Sequence, residues 1–117
     1  MSIIGLHALI YSKQDDATRQ FFRDVLGWSS VDAGRGWLIF AAPPTELAVH
    51  PADETEHHEL YLMCDNIDRT IQELREKGVE TGPIHDQPWG RVTELRLPSG
   101  QKLGMYEPRH PTAIGRP

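Results

Sequence analysis

HELYLMCDNIDRTIQELREKG, residues 58–78, decides how the rest of the chain is read. Its opening residues alternate. Leu60, Leu62 and Cys64 share one face of an expected strand, and Glu59, Tyr61 and Met63 share the other. Asp65 or Asn66 offers a helix N-cap, and Asp68 adds negative charge to the first turn. Ile67, Ile71 and Leu74 then recur at helical spacing, and Lys77-Gly78 closes the segment with a cation and a glycine. A strand therefore runs straight into an amphipathic helix. The chain carries the same unit earlier: HALIYSKQDDATRQFFRDVLG, residues 7–27, has the same length, the same order and the same closing glycine. Two strand–helix units about fifty residues apart imply two structural repeats.

The 117 residues suit one domain. A content of 38% apolar and 25% charged residues is that of an ordinary globular protein, and the net charge of −5 argues against nucleic acid as a partner. The apolar runs are too short to span a membrane, and MSIIGLHAL lacks the cationic start and long apolar core of a signal peptide. Cys64, the single cysteine, has no internal disulfide partner and fits a reducing cytoplasm; on the apolar face of its strand it reads as a small core residue.

Working outward, residues 3–12 read as a strand with Leu6, Ala8 and Ile10 on one face and His7, Leu9 and Tyr11 on the other. Asp15 and Asp16 start a helix by capping and charge; Phe21, Phe22, Val25 and Leu26 form its apolar stripe, with Trp28 as a further core residue. Residues 28–33 and 36–42 read as two short strands around Gly34-Arg35-Gly36, a hairpin signal. Pro43-Pro44 breaks the chain, residues 45–50 form another short strand, and residues 51–56 form an acidic exposed connector. In the second half, residues 79–84 read as a strand interrupted by Gly82-Pro83, residues 86–90 as a loop, 91–97 and 102–106 as strands around a Pro98-Ser99-Gly100 turn, and 108–117 as an irregular tail. The order is βαβββ twice: repeat one about 1–51, repeat two about 57–107.

That order, together with FFRDVLGW at 21–28, CDNIDRTIQELREKGV at 64–79, PWGR at 88–91 and LPSG at 97–100, resembles the vicinal oxygen chelate superfamily, which includes glyoxalases, extradiol dioxygenases, fosfomycin-resistance enzymes and bleomycin-binding proteins. The resemblance covers nearly the whole chain. It implies an α+β fold: two βαβββ repeats forming curved mixed sheets around a cavity, helices outside, in a homodimer whose cavities combine one repeat from each chain. It is uninformative about reaction, because one scaffold hosts many chemistries.

The resemblance also implies where ligands to a metal would lie. His7 matches the first-strand histidine and Glu46 the fourth-strand glutamate, with His50 on the same face as Glu46. For the fifth strand, matching the helix ends pairs His7 with His58, and matching the helix starts pairs it with Glu59; alternation selects Glu59, turned inward with Tyr61 and Met63. The last strand departs from the family pattern, which has a glutamate four residues after the turn glycine; that position is Gly104, and Glu107 faces the other way. The resulting set is His7, Glu46 (or His50 in its place) and Glu59 as ligands to one divalent ion (Zn, Ni, Mn or Fe), or to none. Glu59 or Glu46, where not a ligand, is the expected proton-transferring base. Tyr11, His50, Tyr61 and Trp89 are the expected lining of a small-molecule cavity, with Trp37 a further planar surface.

Two functions follow from the resemblance. The leading one, favoured by His7, Glu46 and Glu59 together, is a divergent, metal-dependent enzyme of lyase, isomerase or dioxygenase type acting on a substrate with neighbouring oxygens. The other is a metal-free small-molecule or drug-binding protein of the bleomycin-binding type, which the missing carboxylate at Gly104 favours.

Overall fold

The computed structural model describes residues 7–51 and 56–114. Its elements are helix α1 (Asp15–Gln20) continuing into a π turn (Phe21–Val25), strands β1 (Ser30–Asp32), β2 (Leu38–Phe40) and β3 (Tyr61–Met63), helix α2 (Ile67–Glu76), and strands β4 (His85–Gln87), β5 (Gly90–Arg96) and β6 (Lys102–Pro108). The fold is mixed α and β with two sheets. One is the antiparallel β1–β2 pair; the other has four strands in the order β3-β6-β5-β4, with β3 parallel to β6 and the remaining pairs antiparallel.

The α2 sequence dictates its own start. The Asn66 side chain accepts from the Arg69 amide at 3.0 Å, and Glu107 Oε1, arriving from β6, accepts from the Ile67 amide at 2.9 Å. Those two oxygens satisfy donors that a helix cannot satisfy internally. Ile67, Ile71 and Leu74 turn inward and meet Leu95, Leu97, Leu103 and Met105 from the sheet in one buried cluster, which Phe21 and Phe22 complete from the first helix. Lys77 Nζ also donates to the Val25 carbonyl at 3.1 Å, tying the two helices together. Leu62 and Cys64 pack against this cluster, as their side of the strand requires. Cys64 is half-buried, and burial pushes its thiol above the usual range, which suits a packing role.

Several expected elements differ. The first helix changes pitch at Phe21, where a π turn sets Phe21 and Phe22 edge to face at 5.5 Å, both buried. Asp15 and Asp16 act by charge, not by capping: Gln14 is the N-cap without a side-chain cap, while the two carboxylates pair with Arg19 at 2.8 and 2.9 Å. The 34–36 hairpin forms, with Asp32 accepting from the Gly34 and Gly36 amides. Residues 7–12 of the expected first strand are not in a strand, and its residues 3–6 lie outside the described ones, as do 52–55 of the connector and 115–117 of the tail. Residues 45–50 are also not in a strand, and Leu47 and Val49 there are 81% and 91% exposed. Residues 79–84 contribute only a bridge from Thr81 to Leu95, since Gly82-Pro83 ends regular pairing. Residues 85–87, expected in part as loop, instead add an edge strand.

Candidate functional site

Strand register assigns the open face of the four-stranded sheet. Tyr61 pairs with Gly104, and Gly104 with Glu94; Met63 pairs with Tyr106, Tyr106 with Val92, and Val92 with His85. Residues paired across a sheet share a face, so these side chains lie opposite the helix-covered face of Leu95, Leu103 and Met105. Trp89, in the turn between β4 and β5, leans over the same surface. Its indole lies 6.3 Å from the Tyr61 ring and 5.3 Å from the Tyr106 ring, and the two tyrosines lie 5.8 Å apart.

Gly104 makes this arrangement feasible. A Cβ built there would collide with Tyr61 Cδ1 and stand 2.5 Å from Cε1 and 3.2 Å from Cγ. The ring of Tyr61 therefore occupies the space that a side chain at position 104 needs. Gly90 serves the second ring pair in the same way: a Cβ there would lie 2.5 Å from the Glu107 carbonyl and 3.0 Å from the Tyr106 ring. Close approach to β6 thus explains the glycine of PWGR.

The polar atoms around the rings are partnered. The Tyr61 hydroxyl donates to Glu59 Oε2 at 2.9 Å, and His57 Nε2 meets Glu59 Oε1 at 3.0 Å. Those two contacts, that from His57 first, hold the Glu59 carboxyl below the usual carboxylate range; His50 adds a smaller electrostatic pull in the same direction. In turn Glu59, through its hydrogen bond, holds the Tyr61 phenol above its ordinary value, with burial and the charge of Glu94 adding to the effect. Burial, then the charge of Glu46, does the same to Tyr106.

The tail folds back over one end of this face. His110 Nδ1 lies 2.8 Å from the Pro111 carbonyl, which only accepts, so Nδ1 carries the proton in the neutral ring. Nε2 is then the acceptor for the Tyr106 hydroxyl at 3.0 Å. Arg109 pairs with Asp86 at 2.6 Å, and Glu46 accepts from the Ala113 and Ile114 amides.

The residues singled out from sequence are placed as follows. Glu59, Tyr61 and Trp89 lie together on the open face. His50 is close enough to act electrostatically on Glu59, without a hydrogen bond. Glu46 is occupied by the tail amides. His7 is exposed, and Tyr11, 84% exposed, takes no part in the ring cluster. Trp37 lies elsewhere, under the Arg19 guanidinium at 4.7 Å. Among the described residues the first half contributes the β1–β2 pair alone, and no hollow between two full sheets is seen there. An open groove of about 610 Å³ lies instead between α2 and residues 82–84, on the helix side, lined by residues such as Ile71, Arg75, Pro83 and Ile84. Sequence reading missed Tyr106, His110 and Glu94 as members of the open face. The first and last of these were within reach of alternation, since Tyr106 and Glu94 share a face with Gly104.

The fold, the glycine over which Tyr61 packs and the ring cluster can be set against known proteins. The family model for the Glyoxalase/Bleomycin resistance protein/Dioxygenase superfamily matches residues 6–105. The chain belongs to this superfamily. Among solved structures, an antibiotic-binding protein, TnmS3 from Streptomyces sp. CB03234, superposes with a TM-score of 0.67 at 21% identity, covering 92% of this chain and 98% of that one. A lactoylglutathione lyase from Agrobacterium tumefaciens gives 0.65 at 19% identity, covering 92% and 94%. A superfamily member from Sphaerobacter thermophilus gives 0.61 at 22% identity, covering 92% and 99%. These likenesses establish the glyoxalase fold. A comparison with curated protein sequences finds no match.

Members of this superfamily often use a divalent metal, so the donors present need testing against one. Among the described residues no group of three or more His, Cys, Asp or Glu side chains is arranged to hold a metal ion. Glu46 is engaged by backbone amides, Glu59 by His57 and Tyr61, and the last-strand position is a glycine beneath an aromatic ring. Within one chain this donor set does not fit a metal centre. Among the described residues no helix is long and apolar enough to cross a membrane.

Proposed function

We propose that this superfamily member binds a small, largely apolar molecule without a metal ion, on the ring face of Tyr61, Trp89 and Tyr106. The observation that carries this reading is Gly104: where a metal ligand would project, the ring of Tyr61 packs on bare backbone, so that a coordination position has become part of an aromatic floor. Tyr61 and Trp89 remain 43% and 40% exposed, which leaves their faces available to a ligand. A solved relative whose function is antibiotic binding shares the fold.

The working unit in this reading is a homodimer of single-domain chains, each built of repeats at about 1–51 and 57–107. Leu9, Tyr11, Leu47 and Val49 are 64%, 84%, 81% and 91% exposed in segments outside the sheets, and apolar side chains so placed call for cover. A second copy supplies it, and brings Tyr11 and His50 toward the ring face as further lining.

A second reading, a metal-dependent enzyme, is supported by the position of Glu59 on the open face beside a tyrosine hydroxyl. In that case His7 and Glu46 from a second copy complete the ligand set, and the ion supplies Lewis-acid chemistry. Glu59 then orients the phenol of Tyr61 or moves a proton itself.

Tryptophan fluorescence of chelator-treated protein, titrated with flat polycyclic aromatic compounds, separates the two. Saturable quenching that disappears in Trp89→Ala and survives chelation is expected. Binding that requires an added divalent ion would overturn the metal-free reading in favour of the enzyme.

A further inference from the structure

The three rings of the open face are nearly perpendicular to one another. Interplanar angles are 76° for Tyr61 and Trp89, 85° for Tyr61 and Tyr106, and 74° for Trp89 and Tyr106. Planes so inclined meet edge to face, and three of them can present their remaining faces to one shared corner. A cation about 4.5 Å above each of two perpendicular faces needs ring centroids about 6.4 Å apart, inside the roughly 6 Å reach of a cation–π contact to either ring. The observed separations are 6.3, 5.8 and 5.3 Å.

Charge and ring electronics agree with that geometry. Glu59 is bonded to the Tyr61 hydroxyl, and Glu94 lies one strand away, opposite Gly104 in register. Glu46 acts electrostatically on Tyr106. The opposing cations on this face are Lys102, 4.0 Å from Glu94, and Arg96, 3.6 Å from Glu80; His57, which touches Glu59, adds charge only when protonated. Two of the rings also donate their phenolic protons, Tyr61 to a carboxylate and Tyr106 to His110 Nε2. Donation shifts electron density toward the phenol oxygen and ring, making the ring face a better seat for positive charge. Indole is the strongest of the aromatic partners for a cation.

Resting on the reading that this face binds a small molecule, we infer that Tyr61, Trp89 and Tyr106 form a three-walled recess for an alkylated or quaternary ammonium group, with Glu59 and Glu94 balancing its charge. The ligand class is an amphipathic compound with a cationic, methyl-rich nitrogen at one end.

The test compares choline with 3,3-dimethylbutan-1-ol, which has the same shape and no charge. With Trp37→Phe as a control remote from the site, the readout in ¹H–¹⁵N spectra of the intact protein is the backbone amides of Tyr61 and Gly104 in every variant and, where Trp89 is present, its indole N–H signal. Choline is expected to shift these signals saturably and at least tenfold more tightly than the alcohol. Trp89→Ala should abolish choline binding, and Trp89→Phe should weaken it while keeping the fold. Equal affinity for both compounds, no choline binding, or choline binding indifferent to both Trp89 variants would overturn the inference. If flat neutral aromatics bind while choline does not, the recess is refuted and the small-molecule reading of the face stands. If neither class binds, both fall.

Discussion

Replacing Gly104 with alanine adds one methyl group at a position where the ring of Tyr61 already sits. The new Cβ would overlap Cδ1 and stand 2.5 Å from Cε1, nearer than real contacts allow, and the atoms in the way belong to a ring held on two sides. Tyr61 must swing. Doing so loosens its edge contacts with Trp89 and Tyr106 and its hydrogen bond to Glu59. Each aromatic pair is worth about 0.5–1.5 kcal/mol beyond burial. A half-exposed hydrogen bond adds about 1 kcal/mol. Against this, alanine in place of glycine recovers about 0.5–1 kcal/mol through reduced freedom of the unfolded chain. The net expectation is a loss of about 1–3.5 kcal/mol, which for a chain of this size lowers Tm by about 4–14 °C. Thermal unfolding followed by circular dichroism reads this directly. The decisive comparison is the double variant: with Tyr61→Ala in place, Gly104→Ala should be neutral or stabilising, because the obstacle is gone. A loss of the same size in both backgrounds, or no loss in the wild-type background, refutes the packing of Tyr61 over bare backbone.

The other expectations follow from the same contacts. Leu95→Ala and Met105→Ala, at positions 0% and 1% exposed, should each cost about 2–5 kcal/mol by chemical denaturation. Glu107→Ala removes the acceptor of the Ile67 amide at the start of α2 and should cost about 1–2 kcal/mol, whereas Glu107→Gln keeps an oxygen and most of the stability. Because the folded state holds Glu59 below its ordinary value of 4.5, its contribution is present above that value and is lost as pH falls through the lower folded one; acid unfolding of Glu59→Gln should lack this part of the pH slope. The phenols of Tyr61 and Tyr106 are both held up, that of Tyr61 first by its bond to Glu59, so ultraviolet titration should show two tyrosines ionising above 10, one of which disappears in Tyr61→Phe and moves down in Glu59→Gln.

Much of the second half is legible in residues 58–78. Strand alternation separates Leu62 and Cys64 from Tyr61 and Glu59, and helical spacing selects Ile67, Ile71 and Leu74, each signal being local to its own element. The π turn at Phe21 is not visible in that way, because an apolar pair adjacent in sequence suits either helical pitch. Residues 7–12 and 45–50 have strand-like alternation, yet a strand exists only when another supplies its hydrogen bonds, and that pairing is not encoded in the segment itself. Tyr106 and Glu94 follow from alternation once Gly104 is placed, but neither stands where the family pattern has a ligand, so nothing in that pattern marks them. His110 has no local signal. Its place depends on a tail held by Arg109 against Asp86 and by Glu46 against the Ala113 and Ile114 amides, contacts between residues far apart in the chain.

The most direct measurement is a titration of ¹⁵N-labelled, chelator-treated protein with substoichiometric Mn²⁺, followed by a flat aromatic ligand. Paramagnetic broadening finds a metal centre wherever it lies, in one chain or between two. The account expects no selective loss of signals from residues 7, 46 and 59–61, and a saturable shift of the Trp89 indole when the aromatic compound is added. Selective broadening around Glu59 and His7 at a fraction of an equivalent of Mn²⁺, with the indole of Trp89 unmoved by ligand in the metal-free protein, would contradict it.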